Sequence, residues 1–269
     1  LEITIWKTSE PVPFEQRLSG EKKSIKIGET WGEIWDCAWF HFKGKVPHEL
    51  AGHKVVLLID ISGEACLFDD DGCPIQGLTN VSSEFDQTFG KPGKRVVEIT
   101  DCATGDEVID LWADAGCNDL FGKYQDSGRI IDAHIAICNQ QIKDLYYDFE
   151  VLNEALKNLP ENSARFKSIM HALNNASLAL NEYSEEEVRR AREILSIELS
   201  KKGGDPSLSI SAIGHAHIDL AWLWPIRETR RKAARTFSTA LMMLDKYDNY
   251  IFGASQLQLY AWVKEDYPA

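Results

Sequence analysis

The sequence lacks any run close to the roughly 18 consecutive apolar residues that a membrane-spanning helix needs, so no bilayer-spanning role is expected of it. It also lacks a basic segment followed by an apolar stretch at its start. Leu1 opens directly into the strand-like run Leu1-Glu2-Ile3-Thr4-Ile5-Trp6, and the chain reads as soluble, unexported and cytoplasmic. Positive charge is in deficit: 29 Lys and Arg against 42 Asp and Glu leave a formal net charge of -13, a field that repels phosphate backbones and anionic membrane surfaces. Nucleic acid and membrane are therefore not expected partners. The six cysteines (Cys37, Cys66, Cys73, Cys102, Cys117, Cys138) show no CxxC spacing, which excludes a zinc finger, and their mostly apolar neighbours favour reduced thiols over a disulfide framework. Internal repeats and low-complexity tracts are absent as well.

What remains is ordinary globular composition, 44% hydrophobic and 26% charged, over 269 residues. That length exceeds the roughly 100 to 200 residues of one typical domain. From Leu1 to Asn139, short apolar or alternating runs recur between turn signals, among them Cys37 to Phe42, Lys54 to Ile61 and Arg95 to Ile99. Such spacing predicts a β-sandwich over residues 1–139. Glu64 to Phe68 and Cys73 to Gly77 flank Asp69-Asp70-Asp71-Gly72, which reads as a hairpin turn; a calcium loop of the EF-hand kind would need further ligands and a closing Glu.

Over residues 140–203 the period becomes helical. Leu145, Phe149, Leu152, Leu156 and Leu159 mark one face up to Pro160, a second helix is expected from about Ser163 to Asn181, and Ser184 with Glu187 fits a capping box that opens a third. This stretch reads as a helical connector. After Gly203-Gly204-Asp205-Pro206 the pattern is strand (Leu208 to Ala216), polar loop, helix (Ile226 to about Leu244), strand (Tyr250 to Ala254) and helix (Leu257 to Val263), the opening of a parallel sheet or barrel over residues 204–269. The first half of the long helix carries Arg227, Glu228, Arg230, Arg231, Lys232 and Arg235, which read as a solvated basic face, with Ile226, Ala233, Phe237, Ala240, Leu241 and Leu244 on the apolar side.

The chemistry concentrates in Gly214-His215-Ala216-His217-Ile218-Asp219-Leu220-Ala221-Trp222-Leu223-Trp224-Pro225. Alternation along a strand puts His215, His217 and Asp219 on one face, near the C-terminal end where barrel enzymes build their sites. An imidazole and a carboxylate two residues apart can bind one divalent ion from the same side, supplying two of the roughly four ligands that zinc takes. The bland alternative is a strand-end histidine bonded to its local aspartate. Trp222 would offer a flat apolar face to a sugar ring, whereas Trp224 reads as packing. Gln256, at the end of the second strand, is a candidate for hydroxyl recognition, with a helix cap at Ser255 as the alternative.

The segment from Ile213 to Pro268 resembles the opening of the glycoside hydrolase family 38 catalytic domain, and is most similar to the cytosolic α-mannosidase branch. The resemblance rests on His215 to Pro225, the Arg227-Glu228-Thr229 helix start and Ser255-Gln256. It implies a multidomain α+β protein: an N-terminal β-sandwich, a helical connector, then the truncated start of a (β/α)7 barrel. It further implies a retaining exo-α-mannosidase acting on mannose-containing oligosaccharides. One divalent metal ion, zinc with cobalt or manganese as alternatives, would be held by two His and two Asp, of which His217 and Asp219 match the first pair. The acidic residues after Asp219 (Glu228, Asp245, Asp248, Glu265, Asp266) lack the motif context of the family's nucleophile. The nucleophile, the acid/base carboxylate and the last metal-binding His are thus expected beyond Ala269, leaving this polypeptide inactive and weak in metal binding. Two other readings compete: a metal-dependent amidohydrolase using His215 beside His217, and a carbohydrate-binding sandwich using Trp31, Trp35, Trp39, Phe40 and Phe42. Oligomeric state stays open, a homo-oligomer included.

Overall fold

The computed structural model describes residues 1–79, 93–118, 125–202, 207, 209–220 and 222–268. It divides into two compact units, one formed by Leu1–Ile137 with Ser211–Ala269 and the other by Cys138–Ile210. The strands of the first unit are β1 (Glu2–Thr8), β2 (Glu21–Ile25), β3 (Thr30–Glu33), β4 (Cys37–Lys45), β5 (Val55–Asp60), β6 (Glu64–Phe68), β7 (Pro74–Thr79), β8 (Val96–Thr100), β9 (Val108–Gly116), β10 (Ser127–Arg129) and β11 (Asp132–Ile137). One antiparallel sheet runs β2-β1-β4-β9-β6-β7; a second runs β11-β5-β8, and β10 pairs with β3.

Period-two alternation decides what enters the core between the sheets. Ala38, Phe40 and Phe42 of β4 meet Val55, Leu57 and Ile59 of β5, with Ile3 and Ile5 from β1 beside them. Phe40 and Phe42 are completely buried, which contributes about 1.5 to 3 kcal/mol each. The intervening Trp39 faces the other way and is also covered, by Trp6, Phe68, Phe14 and Tyr267. Four of the aromatics considered for sugar contact, Trp31, Trp39, Phe40 and Phe42, are therefore core residues, and the sugar-binding sandwich face they would have formed does not exist. The β6–β7 hairpin turns on Asp69, whose carboxylate accepts from the amides of Asp71 (3.1 Å) and Cys73 (2.7 Å), while Gly72 takes the left-handed φ of 85° that the turn requires.

The second unit holds three helices, α1 (Gln140–Lys157), α2 (Ala164–Leu178) and α3 (Glu185–Leu199). Leu145, Leu152, Ile169, Ala172, Ala176, Val188, Ala191 and Leu195 form their common core. Ser184 and Glu187 make the expected reciprocal capping box.

Back in the first unit, β12 (Gly214–His215) and β13 (Phe252–Gly253) flank α4 (Ile226–Lys246), and α5 (Leu257–Asp266) follows. The two strands pair in parallel through Gly214–Phe252 and His215–Gly253. Both are much shorter than the sequence pattern predicts. Ile210 and Ile213, expected in the first strand, are exposed, and Leu208 and the Gly203 to Pro206 breaker lie outside the described residues. A buried parallel strand needs a ladder partner along its length and cover on its faces; two paired residues cannot hold the rest extended.

The largest departure concerns α4. Its expected apolar residues Ile226, Leu241 and Leu244 are exposed, whereas Glu228, Arg231 and Arg235 are buried, along with Ala233 and Ala240. The expected solvated basic face is in fact the docking face. It lies along β6, β7 and β9, and the carboxylates of Glu64 on β6 and Asp114 on β9 neutralise it, a partnership invisible to any reading of the helix alone.

Candidate functional site

The docking face is built from ion pairs bridged by one buried amide. Arg231 donates from Nε to Asp114 Oδ2 (2.8 Å) and from Nη2 to Asp114 Oδ1 (2.6 Å), a bidentate pair reaching across to β9, and its Nη1 donates to Glu228 one turn back. Glu228 Oε2 accepts from Asn118 Nδ2 (2.9 Å), and Asn118 Nδ2 also lies 2.6 Å from Glu64 Oε2 on β6. Glu64 in turn takes Arg235 Nη2 (2.9 Å) and the Lys232 ammonium. Three carboxylates (Asp114, Glu228, Glu64) thus face three cations (Arg231, Lys232, Arg235), so the buried cluster is neutral overall. Burial alone would raise the Glu228 carboxyl, but Arg231 and Arg235, with the Asn118 amide, hold it below the usual carboxylate range. Glu64 is held down in the same way, burial being outweighed by Arg235, Lys232 and Asn118. Outside the cluster, Arg227 pairs with Glu10 (2.9 Å) and Arg230 with Asp266 and Glu265 (2.9 Å).

The motif segment leads into α4, and its Ala216, His217, Ile218 and Trp224 line one pocket with Glu64, Lys232 and Arg235 of the docking face. His217 and Asp219 follow the end of β12, with His217 Nε2 and Asp219 Oδ1 3.1 Å apart; the His217 side chain is 75% exposed and that of Asp219 38%. Ile218 between them is buried against Ala233 and Leu259, which turns its two neighbours outward. Two donors each about 2.05 Å from a tetrahedral zinc would stand about 3.3 Å apart, so this nitrogen and this oxygen fit two adjacent vertices of such a site. Among the described residues no group of three or more His, Cys, Asp and Glu is placed to hold a metal ion. His215 is exposed on β12, opposite Gly253.

Trp222 is 47% exposed and meets Trp224 edge-on at 5.3 Å. Trp224 is half-buried: Lys232 Nζ sits 4.8 Å over its ring, and its indole N–H donates to Thr229 Oγ1 at 2.9 Å. Gln256 takes the N-cap position of α5 in place of Ser255 but makes no side-chain cap bond; its amide instead donates to the Ile218 carbonyl at 2.6 Å, tying the end of β13 to the motif. Sequence reasoning missed Thr229, Asp114, Asn118 and Glu64. Glu228, Arg231 and Arg235, at positions i, i+3 and i+7, share one face of α4, but nothing in the helix sequence itself names their partners on β6 and β9. Cys37 and Cys66 are not nucleophiles at neutral pH, since burial pushes Cys37 up to about 11 and Cys66 up to about 12.

Both parts of the sequence match known protein families. Residues 1–149 match the family described as "Alpha-mannosidase, jelly roll domain", and residues 207–269 match "Glycosyl hydrolases family 38 N-terminal domain". The chain belongs to the glycosyl hydrolase family 38 α-mannosidases, with the jelly-roll sandwich as its N-terminal domain. Among curated relatives, "Alpha-mannosidase 2C1" of Mus musculus is 30% identical over 276 residues, covering 99% of this chain and 26% of the relative. "Alpha-mannosidase G" of Dictyostelium discoideum is 27% identical, covering 96% and 24%, and "Alpha-mannosidase" of Saccharomyces cerevisiae is 29% identical, covering 92% and 24%. The chain spans about a quarter of the length of these relatives. No helix among the described residues is long and apolar enough to cross a membrane.

Proposed function

We propose that this chain is the N-terminal part of a metal-dependent, retaining exo-α-mannosidase that removes terminal α-mannosyl residues from oligosaccharides in the cytoplasm. The observation that carries the reading is the pair His217 Nε2 and Asp219 Oδ1, exposed, 3.1 Å apart and inside the segment matching family 38. In this reading residues 1–139 are the sandwich domain, 140–203 the connector and 204–269 the opening units of a (β/α)7 barrel. His217 and Asp219 are two ligands of a divalent ion, zinc, cobalt or manganese by donor chemistry. When bound, the ion supplies Lewis-acid charge beside the sugar hydroxyls. Trp222 offers its exposed face to the sugar ring, and Gln256, anchored on Ile218, presents its second polar atom to a hydroxyl. Cys37, Cys66, Cys73, Cys102 and Cys138 are free thiols, in keeping with a reducing compartment.

A retaining hydrolysis needs two carboxylates about 5 to 5.5 Å apart, one as nucleophile and one as acid and then base. We place these, with the remaining metal ligands, in sequence that the relatives carry beyond the matched quarter, so the 269 residues alone hydrolyse no aryl α-mannoside. The test uses the full-length polypeptide with an aryl α-mannoside, with and without a chelator, beside His217→Ala and Asp219→Ala. The expected result is chelator-sensitive hydrolysis that falls on the order of a hundredfold or more in each variant, with loss of bound metal. Activity and metal content that survive both substitutions would refute the ligand assignment.

A further inference from the structure

We infer that Thr229 is a positioning residue for Asp219, an inference that rests on reading His217 and Asp219 as metal ligands. Thr229 lies in the first turn of α4 and is completely buried. Its hydroxyl accepts from Trp224 Nε1 at 2.9 Å and stands 3.2 Å from the Leu220 carbonyl and 3.5 Å from the Asp219 carbonyl, to which its one proton can be donated. One oxygen therefore gathers three points of the turn leading from the metal-ligand pair to the helix. The two carbonyls it faces belong to Asp219 itself and to the next residue, so their orientation sets where the Asp219 carboxylate projects.

The anchor is itself fixed. Glu228 precedes Thr229, Arg231 follows two residues later, and both are buried in the ion cluster with Asp114 and Asn118 of the sandwich. Trp224 is held a second time by Lys232, which pairs with Glu64 on β6. The path from sandwich to ligand thus runs through short, buried, directed contacts. A ligand set must be held within about 0.5 Å of its productive geometry, and an exposed turn does not reach that tolerance without such support.

Isosteric and functional replacements separate packing from hydrogen bonding here. Valine keeps the shape of threonine and loses the hydroxyl; serine keeps the hydroxyl and loses a methyl group. In the full-length polypeptide, zinc affinity is measured by competition with a chromophoric chelator, and the visible spectrum of the cobalt-substituted form is recorded, for wild type, Thr229→Val, Thr229→Ser and His217→Ala. Thr229→Val is expected to weaken zinc binding about tenfold or more and to change the cobalt spectrum, while Thr229→Ser stays within about threefold of wild type. Should Thr229→Val be recovered unfolded, the same readout is taken on Thr229→Val with Trp224→Phe, in which no indole N–H is left without an acceptor. Wild-type affinity in the valine variant, or serine failing as badly as valine, would overturn the positioning role while His217→Ala still loses the metal. If wild type binds no metal, or His217→Ala binds it unchanged, the ligand reading itself falls and takes this inference with it.

Discussion

Arg231→Met is the sharpest probe of how the sandwich holds the motif-bearing helix. The substitution leaves Asp114, 5% exposed and bonded through both oxygens to Arg231, as a buried carboxylate without its counter-ion. The cluster changes from three carboxylates against three cations to three against two. Breaking a buried pair by removing one partner costs about 3 to 5 kcal/mol, because the remaining charge stays desolvated. The double substitution Arg231→Met with Asp114→Leu restores the balance at two against two, since Glu228 keeps Asn118 (2.9 Å) and Arg235 (3.6 Å). It is expected to recover all but about 1 to 2 kcal/mol of the loss. A protein of two or more units does not unfold in one step, so the assay is amide hydrogen exchange along α4 and β9 at neutral pH, which reads local opening. A loss of 3 kcal/mol corresponds to roughly 150-fold faster exchange in α4. The reasoning is refuted if the single variant accelerates α4 exchange less than about fivefold, or if the double variant exchanges as fast as the single.

The same cluster sets a pH dependence. Glu64 and Glu228 are both held below their unfolded values, so their stabilisation is complete above about pH 4.5 and is lost as pH falls through the folded values; α4 exchange, corrected for intrinsic rates, should accelerate below about pH 4.5 and show no such step between pH 5 and 8. Gly77→Val should also loosen α4, because a Cβ at Gly77 would meet the Arg235 carbonyl oxygen at 2.8 Å, and backbone rather than a flexible tip must give way. A cost of about 1 to 3 kcal/mol in α4 protection, with α1 to α3 unchanged, is the expected outcome.

The sandwich strands, the hairpin and the three connector helices were legible because each announces itself locally: alternation in Cys37 to Phe42, an Asp-Gly turn at Asp71-Gly72, a capping box at Ser184 and Glu187. The motif was legible through its resemblance to family 38, since its spacing alone left a locally bonded histidine as an alternative, and His217 and Asp219 stand side by side. The polarity of α4 was not legible, because hydrophobic periodicity assumes that charge seeks water. Arg231 and Arg235 seek Asp114 and Glu64 instead, and those carboxylates lie 117 and 171 residues away in sequence. The lengths of β12 and β13 were overread for a related reason: Ile210 and Ile213 have strand-like sequence, but strand formation is decided by ladder partners and cover.

Charged docking suits a helix that follows directly on the motif segment. An apolar interface between α4 and the sheet would bury comparable area but tolerate sliding, since dispersion contacts have little directional preference. A bidentate Arg231–Asp114 pair, with Gly77 N–H donating to Thr239 Oγ1 at 3.0 Å further along the helix, fixes both the rotation of α4 about its axis and its position along β7. Rotating the helix by one residue, about 100°, would swing Arg231 off Asp114 and Thr229 away from the Asp219 and Leu220 carbonyls together. Specificity of docking and geometry at the motif are thus one constraint. It follows that variants in the ion cluster, such as Arg231→Met, should disturb the placement of His217 and Asp219 in proportion to the loss of α4 protection, whereas variants in the core of the helical unit, such as Leu195→Ala, should not.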